Sequence, residues 1–507
     1  MLDTTNPNHY SYTTRHLQIH ILGGIKFNAL DSLRVTISIK KPEQHLVLRH
    51  NIDLYNDNQI EKLVRKVAER IEIGTSIVRK TLQELTDVLE QYRLQQIEKD
   101  QQDTPVPEIS AAEQKAAVAF LKSKDLLQKT NTLIEQSGVI GEQTNRLLMY
   151  LIFTSRKSNN PLHCISLGSS GVGKTHLQSK VAELIPEHEK VEITVLSENA
   201  FYYFNRTELR NKLILIEDLD GAESVLYPLR ELQSKRRITK TVVHKDRKGT
   251  TKTIHLTVEG PVSVAGCTTQ ESVYEDNSNR SFLLYIDESP EQDQKIMHYQ
   301  RLISAGKINI DAEHQARQCL QNVQRLLQPI KVINPYAEFL ELPPSVFKPR
   351  RTNTHYLQFI EAITFYCQYQ REQKVDTQTG EIYIETTPED IQQANEILKE
   401  VLLRKSDTIT GAVRNYLERL KEYLKKNTQT TFTNAEIRRN LRIKESTLRN
   451  YHKQLLAEEY IKRIKNAKTK SYCFEITDIK EYTNLKQQID NALSSCLSRL
   501  STPQPRN

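Results

Sequence analysis

One run, Gly168-Ser169-Ser170-Gly171-Val172-Gly173-Lys174-Thr175, constrains this chain more than any other stretch. Glycines at these spacings let a backbone wrap with its N–H groups turned inward. The run has the G-x-x-x-x-G-K-T form of a phosphate-binding loop. Its context agrees: His163–Leu167 reads as a short buried strand, and a helix is predicted from Lys174 to Leu184. A helix N-terminus at that point adds a field favourable to phosphate. In this setting Lys174 reaches the β- and γ-phosphates of ATP, Thr175 ligates Mg²⁺, and His176 flanks the site.

A site of this kind needs an acid at the end of a neighbouring strand. Leu213-Ile214-Leu215-Ile216 reads as a buried strand and is followed at once by Glu217 and Asp218. Such a pair holds Mg²⁺ through water and polarises the attacking water. The usual order is Asp then Glu, and here it is reversed. Glu217 is the positional match for the metal-facing acid and Asp218 for the water-activating one. The next apolar strand, Val262–Cys267, ends in Thr268-Thr269, where a hydroxyl can hydrogen-bond a γ-phosphate or the attacking water. Asn279-Arg280 precedes a further apolar run, Phe282–Asp287, and an arginine there can project into a neighbouring subunit's site.

Strands alternating with helical stretches from Pro161 to Asp287 predict an α/β core. The chain has 507 residues, room for about three domains at ordinary domain size. An α+β N-terminal domain is predicted over 1–103, with strands at Arg34–Ile39 and Leu46–Leu48 and a helical pattern from Gln59 to Arg93. The polar, proline-punctuated stretch Lys99–Pro107 reads as a linker. The ATPase core follows over 104–290, a helical lid over 291–410, and a small basic domain with a tail over 411–507. No apolar run reaches the roughly 18 residues that span a bilayer, and no signal peptide is evident. The 6 cysteines are scattered without a Cys-x-x-Cys pair, which points to neither a disulfide framework nor zinc and favours a reducing cytoplasm. The net charge of +8 is unevenly placed: residues 411–507 hold 20 lysines and arginines against 10 acids, a net of +10, and the rest of the chain is at −2. A basic terminal domain suggests a polyanionic partner.

The ordered set from Ile134 to Tyr369 resembles the AAA+ ATPases, and within them the minichromosome-maintenance (MCM) helicase branch. The likeness is closest to the helicase modules of bacterial phage and mobile-element primase-helicase proteins. Ser137-Gly138-Val139-Ile140-Gly141 matches the segment entering that module, and Ile216-Glu217-Asp218-Leu219-Asp220 its acidic motif with the first two acids exchanged. Thr268 falls at the family's sensor-1 position, Arg280 at its arginine finger, and Arg351 at sensor 2, with Arg350 the fallback and a helix predicted over Thr354–Tyr369. Ile238–His244 and Thr251–Thr257 alternate like paired strands around Lys245-Asp246-Arg247-Lys248-Gly249-Thr250. The resemblance implies that this hairpin points into a ring's channel and grips DNA. Lys245, Arg247 and Lys248 at its tip suit a phosphate backbone.

At the C-terminus, predicted helices at Phe432–Leu441 and Glu445–Leu456 precede two strands flanking Lys465–Lys470. This resembles a winged helix, which would offer Thr447, Arg449, Asn450 and Lys453 to a groove and Lys468 and Lys470 to phosphates. Winged helices also serve protein contacts. The combined reading is an ATP-driven DNA helicase of a mobile element or phage, working as a homo-oligomeric ring, a hexamer, with Arg280 of one protomer completing the site of the next. An AAA+ initiator, loader or transposition regulator, and a nucleotide-switched binding module or defence scaffold, share the same motifs. Residues 1–103 hold no cysteine and no assignable acidic metal motif, so priming is expected from a separate chain.

Overall fold

The computed structural model describes residues 2–26, 32–42, 46–101, 109–194, 199–220, 223–245, 251–269, 279–465, 472–477 and 480–500. The chain divides into two compact units, Met1–Pro107 and Glu108–Asn507.

In the first unit, β1 (Leu2–Asp3), β2 (His9–Thr13), β3 (Gln18–Leu22), β4 (Arg34–Lys40) and β5 (Leu48–Asp53) pair antiparallel in chain order. Alternation on β4 turns Val35, Ile37 and Ile39 onto α1 (Asp57–Ile71) and α2 (Thr75–Gln101), where they meet Leu63, Val67, Leu82 and Leu89. The strand predicted at Leu46–Leu48 instead starts at Leu48 and continues through polar Arg49-His50-Asn51. β5 is an edge strand, so pairing with β4 sets its extent and its outer face can be polar. The helical pattern from Gln59 is two helices. Asn56 caps the first by accepting from the Gln59 amide, and Glu72, at φ 55°, ends it.

The second unit begins with α3 (Ala111–Leu121), α4 (Leu126–Gln136) and α5 (Gln143–Thr154). Next come β6 (His163–Leu167), α6 (Lys174–Ala182), β7 (Lys190–Ile193), β8 (Lys212–Ile216), α7 (Glu223–Lys235), β9 (Arg237–Lys245), β10 (Thr251–Glu259), β11 (Val262–Thr268) and β12 (Phe282–Tyr285). Five of these strands form one sheet in the order β12-β6-β11-β8-β7, every neighbouring pair parallel. Residues of β6 and β11 are buried throughout, as expected of strands covered on both faces. On β8 the alternation divides two cores. Leu213 and Leu215 join Leu177 and Val181 of α6, while Ile214 and Ile216 join Leu226, Leu229 and Leu232 of α7.

β9 and β10 make a separate two-stranded ribbon, paired from Arg237–Glu259 out to Lys245–Thr251. Nine residues per strand give a projection of about 30 Å. Its predicted tip, with Arg247 and Lys248, lies outside the described residues, as do Lys468 and Lys470.

The lid comprises α8 (Pro290–Ser304), α9 (Ile310–Leu326), β13 (Lys331–Ile333), α10 (Pro349–Tyr366), β14 (Lys374–Val375), β15 (Ile382–Glu385) and α11 (Pro388–Lys405). It is not wholly helical, because β13, β15 and β14 form a small sheet. The helix predicted from Thr354 begins earlier, with Pro349 in its first turn. The last module contains α12 (Gly411–Lys426), β16 (Thr431–Phe432), α13 (Asn434–Asn440), α14 (Glu445–Ala457), β17 (Ile461–Lys465) and β18 (Tyr472–Ile476), with sheet order β16-β18-β17. The tail beyond it forms α15 (Glu481–Leu500). Its Ile489, Leu493 and Cys496 join the lid core rather than that of the small module. Among the described residues no helix is long and apolar enough to cross a membrane.

Gly266 marks the tightest point between β8 and β11. A Cβ there would lie 2.8 Å from Leu219 Cδ1 and 2.9 Å from its Cγ. Leu219 is buried, and its amide donates to the Cys267 carbonyl at 2.8 Å. Gly266→Ala is therefore expected to cost about 1–3 kcal/mol through overpacking, read as a lower urea midpoint with an unchanged slope.

Candidate active site

The loop between β6 and α6 folds as its glycines require. Gly171 and Gly173 have φ of 87° and 94°, and the space beside each is open. Gly173 is also the residue preceding α6, so the loop's amides open directly onto the helix N-terminus. Lys174 is 8% exposed, and its Nζ donates to the carbonyls of Gly168 at 2.8 Å and Ser169 at 2.7 Å. The ammonium thus arches back over the loop. Ser169, Ser170, Thr175 and His176 are exposed and Val172 is half-buried.

Parallel pairing brings the other residues to the same carboxyl edge. Gly266 faces Ile216 on one side and Ile165 on the other, so Glu217, Asp218 and Thr268 sit beside the loop. Glu217 and Asp218 are both exposed. The Glu217 amide donates to the Ile193 carbonyl at 3.3 Å, continuing the strand by one residue. The alternation of β8 therefore puts Glu217 on the α6 face. Asp218 accepts from the Asp220 amide at 2.8 Å. Gln178 of α6 donates to the Ile216 carbonyl at 3.1 Å, tying the helix to the end of β8. Burial pushes the Cys267 thiol up to about 11, with the Thr175 hydroxyl and the Lys174 charge acting against it.

Asp220 enters the site through the two threonines. Thr268 Oγ1 donates to Asp220 Oδ1, and Thr269 Oγ1 donates to Oδ2 at 2.7 Å. Burial raises this carboxyl, but the threonine hydrogen bonds outweigh it and hold the group below the ordinary aspartate value. Thr268 is committed to a carboxylate within its own chain, a partner that strand-end placement alone does not reveal.

Arg280 and Arg351 lie elsewhere. Phe282 is level with Cys164, so Arg280 stands beside Leu162, at the amino end of β6. Five residues of strand separate that point from the loop, about 16 Å. Arg280, Arg351, Arg236, Asn279, Asn160 and His355 line a cavity of about 290 Å³ there, and no described lining residue is acidic. Arg280 Nε donates to Ser234 Oγ at 3.0 Å. Burial, with Arg280 nearby, pushes His163 down to about 3. Burial, Lys405, His163 and Arg351 do the same to His355, also to about 3. Buried Lys405 is lowered to about 8, by desolvation and then by Arg351 and Lys348. The cavity is a concentration of positive charge suited to an anion. Arg350, the alternative to Arg351, is exposed on the same first turn of α10.

In the C-terminal module, Leu448, His452 and Leu455 turn one face of α14 inward. His452 bonds Tyr416 at 2.6 Å, and burial lowers it to about 4. The opposite face exposes Arg449, Asn450 and Lys453, while Thr447 is half-buried and Arg449 is paired with Glu445.

The residues fit ATP and Mg²⁺ in their donor chemistry: a glycine-rich loop at a helix N-terminus, a lysine, a hydroxyl and two exposed carboxylates. The comparisons agree on the loop. Residues 108–329 match the family described as MTBMA_p00010 P-loop domain. The match covers less than half of the chain. No curated protein matches the chain. Among solved structures it is similar to a full-length MCM homolog from Methanopyrus kandleri, at 16% identity and a TM-score of 0.37, over 59% of this chain and 63% of that one. The chain thus spans less than two thirds of that protein. Drosophila ORC bound to DNA aligns at 13% identity and a TM-score of 0.22, over 77% and 95% of the two chains. The apo A form of the NrS-1 C-terminal region aligns at 13% and 0.22, over 70% and 75%. At these scores none of the three fixes the fold of the whole chain.

One contact at the P-loop was not legible in the sequence. Glu288, three residues past β12, accepts from Ser169 N at 2.9 Å and from Ser169 Oγ at 3.2 Å. The carboxylate clamps the start of the loop from the edge strand. Glu288→Ala is expected to weaken nucleotide affinity roughly fivefold, the scale of an exposed charge-assisted bond of about 1 kcal/mol. Glu288→Gln, which keeps an acceptor, should lie between. Titration with a fluorescent nucleotide checks this, and equal affinities for all three would show that Lys174 holds the loop without help.

Proposed function

We propose that this chain is an AAA+ ATPase of the MCM-like type that moves along DNA, acting as a homo-oligomeric ring, a hexamer, in replication of a mobile element or phage. The observation that carries the reading is the division of the sheet. The glycine-rich loop and the two acids occupy its carboxyl edge, and an arginine cavity with no acid among its described lining residues occupies its amino edge. Neither edge is a complete ATPase site, but a neighbouring copy that docks its amino edge on the carboxyl edge of the first makes one.

In this reading the loop Gly168–Thr175 and His176 hold the triphosphate, and Lys174 turns from its loop carbonyls to the β- and γ-phosphates. Thr175 and Glu217 would hold Mg²⁺, which when bound would supply neutralising charge to the phosphates. Glu217 takes the metal side because it shares the α6 face with Thr175. Asp218 orients and deprotonates the attacking water. Asp220 accepts the hydrogen bond of the Thr268 hydroxyl, which leaves the Thr268 oxygen to accept a hydrogen bond from the attacking water. Arg280 and Arg351 reach the γ-phosphate of the neighbour. The β9–β10 ribbon carries Lys245, with Arg247 and Lys248 at its tip, to a DNA strand in the ring's channel. The C-terminal module acts as a winged helix, with Arg449, Asn450 and Lys453 toward the groove, Thr447 at its margin, and Lys468 and Lys470 on the wing.

Shared sites have a distinctive signature. Lys174→Ala and Arg280→Ala should each lower ATP turnover about 10³-fold, yet mixing the two proteins should restore part of it, because some interfaces then pair two intact edges. Absence of any rescue, with oligomers present, would place Arg280 outside the reaction. Glu217→Gln should raise the Mg²⁺ requirement, and Asp218→Asn should abolish turnover while sparing ATP binding.

The exposed polar face of α14 favours a second reading, an initiator or loader that remodels duplex DNA without unwinding it. Strand displacement on a forked substrate separates the two. Helicase action predicts ATP-dependent release of the strand, whereas DNA-stimulated hydrolysis without release would leave the initiator reading.

A further inference from the structure

Two large exposed rings stand beside the hairpin on segments that carry none of the predicted site residues. Tyr203 ends the 3-10 turn Ala200–Tyr203 and is 70% exposed, and Tyr227 on α7 is 62% exposed. Both segments are firmly seated: the turn packs on β9 and β10, and α7 packs on β9. Phe201, two residues before Tyr203, and Leu226, next to Tyr227, are buried in one core with Ile238 and Val258 of the ribbon. Both rings therefore stand on segments anchored in that core. Tyr202, next to Tyr203 in the turn, is half-buried, with Lys240 of β9 over its ring at 5.5 Å. Lys240 is held there by the Asn199 side chain at 2.7 Å. Tyr227 is near enough to act on the Tyr202 phenol, which burial first and then Tyr227 and Glu231 hold above the ordinary tyrosine value.

Exposed tyrosines of this kind can meet a protein or a nucleobase. Among the described residues of this region no large aliphatic side chain is exposed with them, so the surface lacks the contiguous apolar area of a protein-docking patch. It offers instead flat π-faces and a cation, Lys240, which is the chemistry of a single-strand stacking platform.

We propose that Tyr203 and Tyr227, with Lys240 over the neighbouring Tyr202 ring, stack unpaired bases of a DNA strand at the base of the β9–β10 hairpin. The inference rests on the DNA-motor reading and deepens it: the tip takes phosphates, and these rings take bases.

The experiment compares fluorescence anisotropy of the full chain on a labelled oligothymidine and on the same strand made abasic. Wild type should bind the thymidine strand more tightly than the abasic one. Tyr203→Ala and Tyr227→Ala should each weaken thymidine binding about tenfold while leaving abasic binding unchanged, and Tyr→Phe at either position should restore it. Thermal melts control for folding, since both side chains are exposed. Equal wild-type binding to the two strands, or alanine variants that bind thymidine like wild type, overturns the platform and leaves the DNA reading intact. Failure of wild type to bind either strand overturns both. Alanine variants that keep DNA binding but lose self-association in sedimentation make the surface a protein interface and overturn the proposal.

Discussion

The pairing of β11 between β6 and β8 is the constraint on which the rest depends. It is parallel on both sides, so every strand delivers its following residues to one edge and its preceding residues to the other. Chemistry is sorted by edge accordingly. The phosphate loop, the two acids and the Asp220–Thr268 pair all follow strands, whereas Arg280 precedes one. Little tolerance exists at the centre, where Gly266 leaves room for Leu219 and the Leu219 amide ties the turn after β8 to the end of β11.

The loop, the acid pair and the central strands were legible because each is a local pattern: glycine spacing, a buried apolar run, an acid at its end. The reversed acid pair is ambiguous as sequence; the Glu217 amide continues the strand by one residue, which puts that side chain on the α6 face. What the sequence withheld was long-range. Glu288 lies 119 residues from Ser169, and nothing near it marks it as a partner of the loop. The Asp220–Thr268 contact is hidden for the same reason. Arg280 and Arg351 were picked out separately, and only the start of β12 and the first turn of α10 meeting at the sheet's amino edge place them in one cavity.

In the outer parts, composition misled in identifiable ways. The apolar triplet at Leu46–Leu48 drew the predicted strand off an edge whose pairing is polar. The lid's small sheet was missed because its strands are two to four residues long, too short for alternation to register. The final helix, read in the sequence only as a tail to the basic module, packs its apolar face into the lid.

That last helix has a mechanical consequence. The chain leaves the lid at α11 to build the small module, then returns in α15 to pack against α11 again. Gly411 meets the ring of Tyr285 so closely that a Cβ would come within 2.3 Å of it, and Tyr285 lies three residues before Glu288. A body hung from a single linker swivels in any direction. One whose entrance and exit are fastened to the same helix can only rock about the line joining them.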